Sequence, residues 1–255
     1  VHLDTDRLEN GYPRWHLRPP DEIRRAIGSL GIGPDSTVVV YGRETVVAAR
    51  VWWVFLYAGV RDVRYLNGGY AAWVRAGYPV ETRAVAPPPV AFTAPLRLEI
   101  LATTDSVRDG LEARRIRLAD VRSQEEFAGE TSGYDYLEFK GRIPGAVHLG
   151  NAGASAALYQ NRDGTLRDPL EIRDLWNKRG AGDAAEMVFY CGSGWRSSLA
   201  FLYAWVLGME RVRNYSDGWS GWSTVYERDP SHGGITPGWR QRPSTNPVER
   251  KKLVQ

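Results

Sequence analysis

The alternation of apolar and polar positions divides the chain into short strands and longer helices in a regular order. Thr37 to Tyr41 and Glu186 to Tyr190 are apolar, β-branched or aromatic runs of strand length. Each is followed by a longer apolar segment, Ala48 to Tyr57 and Ser197 to Leu207, which predicts a buried helix. A second strand comes next, Val63 to Leu66 and Val212 to Tyr215. Strand, helix, strand in this order predicts parallel strands with right-handed crossovers and helices on both faces of each sheet. The longest apolar stretch, Val46 to Val60, is broken by Arg50 and is too short to span a membrane, so it reads as a buried helix.

The order recurs because the chain repeats itself. Thr37 to Trp73 lies over Glu186 to Trp222 without a gap, at an offset of 186 − 37 = 149. Tyr41 meets Tyr190, Gly59 meets Gly208, Gly69 meets Gly218 and Trp73 meets Trp222. Upstream, LRPPDEIR from Leu17 faces LRDPLEIR from Leu166, and His2 faces His148 after a small length change. The second copy has a further leader, from RLADVRSQEEF to GRIPGA, without counterpart in the first. The chain therefore opens inside a repeat, and an additional repeat or a second polypeptide is expected to complete the first domain.

This organisation predicts an α/β protein of two tandem domains, each a mainly parallel sheet. Residues 1–81 form the first, truncated at its start. Residues 82–97 form a Pro-rich linker, TRAVAPPPVAFTAP at its centre, expected to run extended over the surface. Residues 98–255 form the second domain, with a long loop at 226–243.

Composition narrows the function classes. The 255 residues are 43% hydrophobic and 25% charged, ordinary for a globular chain with one large or two medium cores. The 33 basic and 30 acidic residues are interspersed, so the net charge of +3 gives no nucleic-acid surface. One cysteine and four histidines exclude a disulfide framework and a Cys-rich metal site, and no Walker loop or dinucleotide motif is present. No metal and no cofactor are expected. The compartment stays open, since a single cysteine suits cytosol or periplasm alike.

That cysteine stands in YCGSGWRSSL, at the end of a predicted strand and the start of a predicted helix. In an open parallel sheet, ligands bind at the carboxyl ends of strands. Gly192 and Gly194 let the loop take unusual backbone angles and turn successive N–H groups inward, forming an anion-binding nest. The helix start adds its dipole and Arg196 a permanent charge. All act on a thiolate rather than a thiol, so Cys191 is expected to be an activated nucleophile. The competing reading, a small buried hydrophobe, is the commoner fate of a lone cysteine. The aligned first copy is a built-in control: its loop is GRETVV, with Gly42 at the cysteine position and Val47 at the arginine position.

These residues resemble the rhodanese (sulfurtransferase) family in its tandem form. The matching features are Asp120-Val121-Arg122, Glu125 to Phe127, Gly141 to His148, the loop CGSGWR and Asp217 to Trp222. The combination with SGYDYLEFKGRIPGA is similar to bacterial sulfurtransferases of three repeats, some of them exported to the periplasm. The resemblance implies that Cys191 attacks a small anionic sulfur donor such as thiosulfate, becomes a persulfide, and passes the sulfur to cyanide or a thiol. It further implies a cradle of Gly192, Ser193, Gly194, Trp195 and Arg196, with Asp120 and Arg122 in support. Where some members carry a second substrate-binding arginine this chain has Glu126, so Arg142, Arg240, Arg242 and Tyr134 are the alternative contacts for the donor. Related phosphatases and arsenate reductases have one more residue between cysteine and arginine; the shorter C-x-x-x-x-R suits a single sulfur atom. A sulfur carrier that docks a desulfurase stays open as an alternative, with phosphatase or reductase action behind it.

Other residues have plainer expected roles. Trp195 either walls the pocket or packs beside the helix, and Tyr134, Tyr136 and Phe139 either line an entrance or pack. Trp219, Trp222 and His148 read as structural, and Asp183 and Asp217 as turn residues.

Overall fold

A computed structural model describes residues 1–11, 15–150, 156–182 and 186–228 of the chain. In the first repeat, helix α1 (Pro20–Gly28) precedes strand β1 (Thr37–Val40), helix α2 (Thr45–Tyr57), strand β2 (Asp62–Tyr65) and helix α3 (Gly69–Arg75). The second repeat runs β3 (Leu101–Ala102), α4 (Thr104–Glu112), β4 (Arg117–Asp120), α5 (Gln124–Ala128), β5 (Val147–His148), α6 (Pro169–Lys178), β6 (Met187–Tyr190), α7 (Trp195–Val206), β7 (Val212–Tyr215) and α8 (Gly218–Arg228).

Every pairing among the described strands is parallel, as the alternation of strand and helix requires. The described strands form a two-stranded sheet, β1-β2, and a five-stranded sheet of order β3-β7-β6-β4-β5. Strand β6 lies at the centre of the larger sheet and is buried along its whole length, which explains why it reads as a continuous apolar run rather than an alternation. Its last residue, Tyr190, registers with Asp120 on one side and Tyr215 on the other. The carboxyl ends of three strands thus meet beside Cys191.

The two repeats share one core. Helices α2 and α7 pack together, Trp52 against Phe201 and Trp205 with centroids 6.2 Å apart and Trp53 against Phe201 at 6.4 Å. Aromatic burial of this size dominates such a junction. Both helices start earlier than their apolar runs indicate, because the loop before each turns directly into the first helical residue. At α7 the turn is made by Gly194, whose φ of 87° lies in the left-handed region.

The linker differs from the expectation of an exposed connector. It is extended, but Phe92 and Ala94 are buried. The Val90 amide donates to Gly28 O at 2.9 Å, and Arg24 donates to Ala94 O from both Nε and Nη2. The first repeat thus pins the linker by accepting from one of its amides and donating to one of its carbonyls. Residues 226–228 of the loop expected at 226–243 are helical instead, because α8 continues through Arg228; residues 229–243, with Arg240 and Arg242, lie outside the described residues. No described helix is long and apolar enough to cross a membrane.

Candidate active site

Cys191 directly follows β6, buried with 1% of its surface exposed. The loop after it turns its carbonyls outward. Cys191 O accepts from Trp219 N at 2.7 Å and Gly192 O from Ser220 N at 2.9 Å, both at the start of α8. Gly194 O accepts from Ser198 Oγ at 2.7 Å and Asn214 Nδ2 at 3.3 Å. In a planar trans peptide the N–H points opposite the carbonyl, so the amides of Gly192, Ser193 and Trp195 face the other side of the loop. Helix α7 has no side-chain cap to occupy its first amides. N–H groups turned to one side of a loop are what an anion-binding nest requires. Ser197 Oγ, fully buried, donates to Cys191 Sγ at 3.7 Å.

The close approach of α8 depends on Gly218, where an added Cβ would lie 2.4 Å from Cys191 O. The first repeat keeps the same construction without the sulfur. Tyr70 N donates to Gly42 O at 3.3 Å, and a Cβ on Gly69 would lie 2.5 Å from that oxygen. Gly42 and Tyr70 align with Cys191 and Trp219, so the aligned glycines reflect one shared turn.

Arg196 is not free to meet an anion. Its Nη1 and Nη2 each donate to one Glu126 oxygen at 2.7 Å, a bidentate pair with side-chain exposures of 12% and 4%. Nη2 also contacts the Tyr134 hydroxyl, and the guanidinium lies 5.2 Å from the centroid of that ring. Burial opposes the charge of Arg196, but Tyr134, Glu126 and Cys191 hold it firmly protonated. Glu126 is itself fixed by the start of α5, where its carboxylate accepts from Ser123 N and Ser123 Oγ accepts from Glu126 N.

Tyr134 covers the loop from the insertion before Gly141. Its ring leaves no room for a side chain at Gly192, where a Cβ would come within 2.3 Å. Burial pushes the Tyr134 hydroxyl well above its ordinary range and that of Tyr136 up to about 12, so both are neutral at physiological pH. The two rings sit 5.1 Å apart.

Asp120 and Arg122 form a fully buried ion pair behind the loop, Nη2 to Oδ2 at 2.7 Å. Tyr190 Oη donates to the same carboxylate at 2.6 Å. The pair therefore props the end of β6 and does not reach into the loop. Burial works against ionisation of Asp120, but the charge and hydrogen bonds of Arg122, with that of Tyr190, overcome it and hold the carboxyl below the usual range. Arg142 donates to Phe127 O at 2.9 Å and lies 4.5 Å from that ring centroid, a contact with α5.

Residues 1–76 and 103–224 match the model of the rhodanese-like domain. The chain belongs to the rhodanese-like domain family. It is 36% identical over 229 residues to thiosulfate sulfurtransferase YnjE of Escherichia coli K12, covering 88% of this chain but only 52% of YnjE. The chain thus spans about half the length of that relative. It is 30% identical over 242 residues to mouse thiosulfate sulfurtransferase, covering 92% and 79% of the two chains. Sulfur carrier protein TtuD of Thermus thermophilus is 35% identical over 216 residues, 80% of this chain and 74% of TtuD. Among solved structures, EanB in complex with ergothioneine superposes with a TM-score of 0.83 at 37% identity, covering 89% of this chain and 58% of EanB.

The remaining sequence expectations sort by packing. Trp219 and Trp222 are buried, each 3% exposed, whereas the aligned Trp73 is 37% exposed and packs on Tyr78. His148 Nε2 meets Arg122 O at 2.9 Å and the ring stacks on Phe127, a structural role. Phe139 O accepts from Trp219 Nε1 at 2.9 Å, so its segment is packed. Asp217 is more than a turn residue, since its carboxylate meets His16 Nδ1 of the first repeat at 3.0 Å; Asp183 lies outside the described residues. Sequence reasoning missed Ser197, and it missed the role of Glu126 toward Arg196. A carboxylate standing where the family offers a guanidinium was the available signal.

Proposed function

We propose that this rhodanese is a sulfurtransferase working through a persulfide on Cys191. The observation that carries the reading is the outward pinning of the Cys191, Gly192 and Gly194 carbonyls, which leaves the loop amides as donors for a sulfur anion. The Cys191 thiolate attacks the outer sulfur of a donor such as thiosulfate. The new S–S bond forms as the donor's own S–S bond breaks, and sulfite leaves with the electron pair. Cyanide or a thiolate then attacks the outer sulfur and restores the Cys191 thiolate, with no cofactor and no external redox partner. Relatives named thiosulfate sulfurtransferase support this chemistry. So does a neighbouring structure, 36% identical, that of an EanB variant with ergothioneine covalently linked to a persulfide cysteine.

The Glu126–Arg196 pair argues that a dianionic donor is held weakly, because both prongs of the loop guanidinium are occupied. That favours a second reading, a carrier loaded by a protein partner, in line with the relative named sulfur carrier protein. Turnover separates the two. Repeated rounds with thiosulfate and cyanide mark an enzyme, and a single loading that requires a partner marks a carrier. The decisive experiment is intact-mass analysis of the chain after incubation with thiosulfate: an added sulfur, removed by cyanide and absent from Cys191→Ser, is expected. No added sulfur with thiosulfate, polysulfide or a cysteine desulfurase would sink the proposal.

A further inference from the structure

Arg50 is a charge inside an apolar helix of the repeat that lacks the cysteine, and it aligns with Leu199 of the active repeat, 50 + 149. It is 1% exposed. Its guanidinium pairs with Glu9, itself 2% exposed, and continues across the junction into the second repeat. Nη1 donates to Gly194 O at 3.4 Å and Ser198 Oγ at 3.5 Å, and Nη2 donates to Ser216 Oγ at 2.8 Å. The other Glu9 oxygen accepts from Trp195 Nε1 at 2.6 Å. One buried pair from the first repeat therefore grips both the active loop and the turn that leads into α8.

Buried ion pairs are poor stabilisers, because desolvation consumes most of their mutual attraction. Their use lies in direction. The Gly194 carbonyl is the point at which the loop becomes helix, and holding it toward Arg50 turns the Trp195 N–H the opposite way. Glycine at 194 is what admits the approach, since a Cβ there would stand 2.8 Å from Arg50 Nη1 and 2.6 Å from Ser216 O. Trp15 adds an edge-to-face contact to the Trp195 ring at 5.8 Å from the same N-terminal segment.

We propose that Glu9 and Arg50 are positioning residues for the active loop, supplied by the repeat without the nucleophile: they fix the Gly194 carbonyl and the Trp195 ring so that the loop amides face the sulfur on Cys191. The catalytic consequence rests on the persulfide reading above; the geometric one does not. The first repeat then persists as part of the site rather than as a relic.

The test uses the full chain. Glu9→Met with Arg50→Met removes both charges together and leaves neither unpaired. The double variant is expected to fold, while hydrogen exchange of the amides at 192–198 accelerates about tenfold or more and other described segments keep their rates. Sulfur transfer is expected to lose at least about tenfold in kcat with the donor KM nearly unchanged, the sign of an interaction used in the transition state. Arg50→Lys keeps the pairing with Glu9 but lacks the fork that reaches Gly194 and Ser216, so it should recover only part of the loss. A folded double variant with wild-type loop exchange and wild-type kcat overturns the proposal. If the double variant fails to fold, Trp195→Phe and Ser216→Ala each remove one contact and leave the ion pair intact. Both must then loosen the loop, and wild-type exchange in both overturns the proposal equally. A wild-type chain that never carries sulfur refutes the functional reading alone, because the exchange measurement still decides the positioning.

Discussion

Glu126 and Arg196 face each other as a two-pronged buried pair, so the positive charge of the active loop is already spent on a protein carboxylate. Replacing Glu126 with Gln keeps a side chain able to serve the α5 cap and releases the guanidinium. The KM for thiosulfate is expected to fall by about tenfold, ~1.4 kcal/mol of donor binding. Chemical denaturation should show a loss of about 3 kcal/mol, the usual consequence of leaving a buried charge unpaired. An unchanged KM in the folded variant would mean that Arg196 plays no part in donor choice.

Ser197 donates its hydroxyl to Cys191 Sγ from within the first turn of α7. Ser197→Ala removes that donor without adding volume. A net contribution of about 0.5–1.5 kcal/mol predicts a two- to tenfold slower reaction of Cys191 with iodoacetamide at neutral pH. Equal alkylation rates would assign the hydroxyl to packing alone.

Tyr134 occupies the space that a side chain on Gly192 would need. Gly192→Ala should therefore cost about 1–3 kcal/mol through overpacking. In Gly192→Ala with Tyr134→Ala most of that penalty should vanish, giving a coupling of at least about 1 kcal/mol in a double-mutant cycle. Additive effects would place the ring elsewhere in solution.

Asp120 sets an acid limit on stability. Its carboxyl titrates below the ordinary range when folded, so the unfolded chain binds the extra proton first. The stability it contributes is complete above the unfolded value of about 3.9 and is lost as pH falls from there through the lower folded value. Asp120→Asn should lower the melting temperature at neutral pH and flatten its decline below about pH 4, read by calorimetry across pH. A wild-type acid slope in the variant would show that other carboxylates govern that limb.

Much of this was legible in the chain itself. The offset of 149 residues gave both repeats, their parallel strands and the shared turn at Gly42 and Cys191, because a repeat preserves local backbone requirements even where the chemistry is gone. Cys191 and its glycines were legible for the same reason: a tight turn at a strand end can be made by few residue types. The direction of Arg142 was not legible, since a long side chain has many available and only packing shows that it reaches the Phe127 carbonyl. The linker resisted as well, because proline content predicts an extended backbone but not what lies against it.

By itself the sequence determined which residue is the candidate nucleophile and what turn presents it, for these depend on neighbours a few residues away. Only the tertiary structure decided how the site is charged and who holds it. Glu126 meets Arg196 across 70 positions, and Arg50 meets Gly194 across 144. The first arises because β4 pairs with β6 and sets the start of α5 beside that of α7; the second arises because α2 and α7 bury their apolar faces together, a long-range event that leaves in the sequence only the trace of a single arginine among hydrophobic residues.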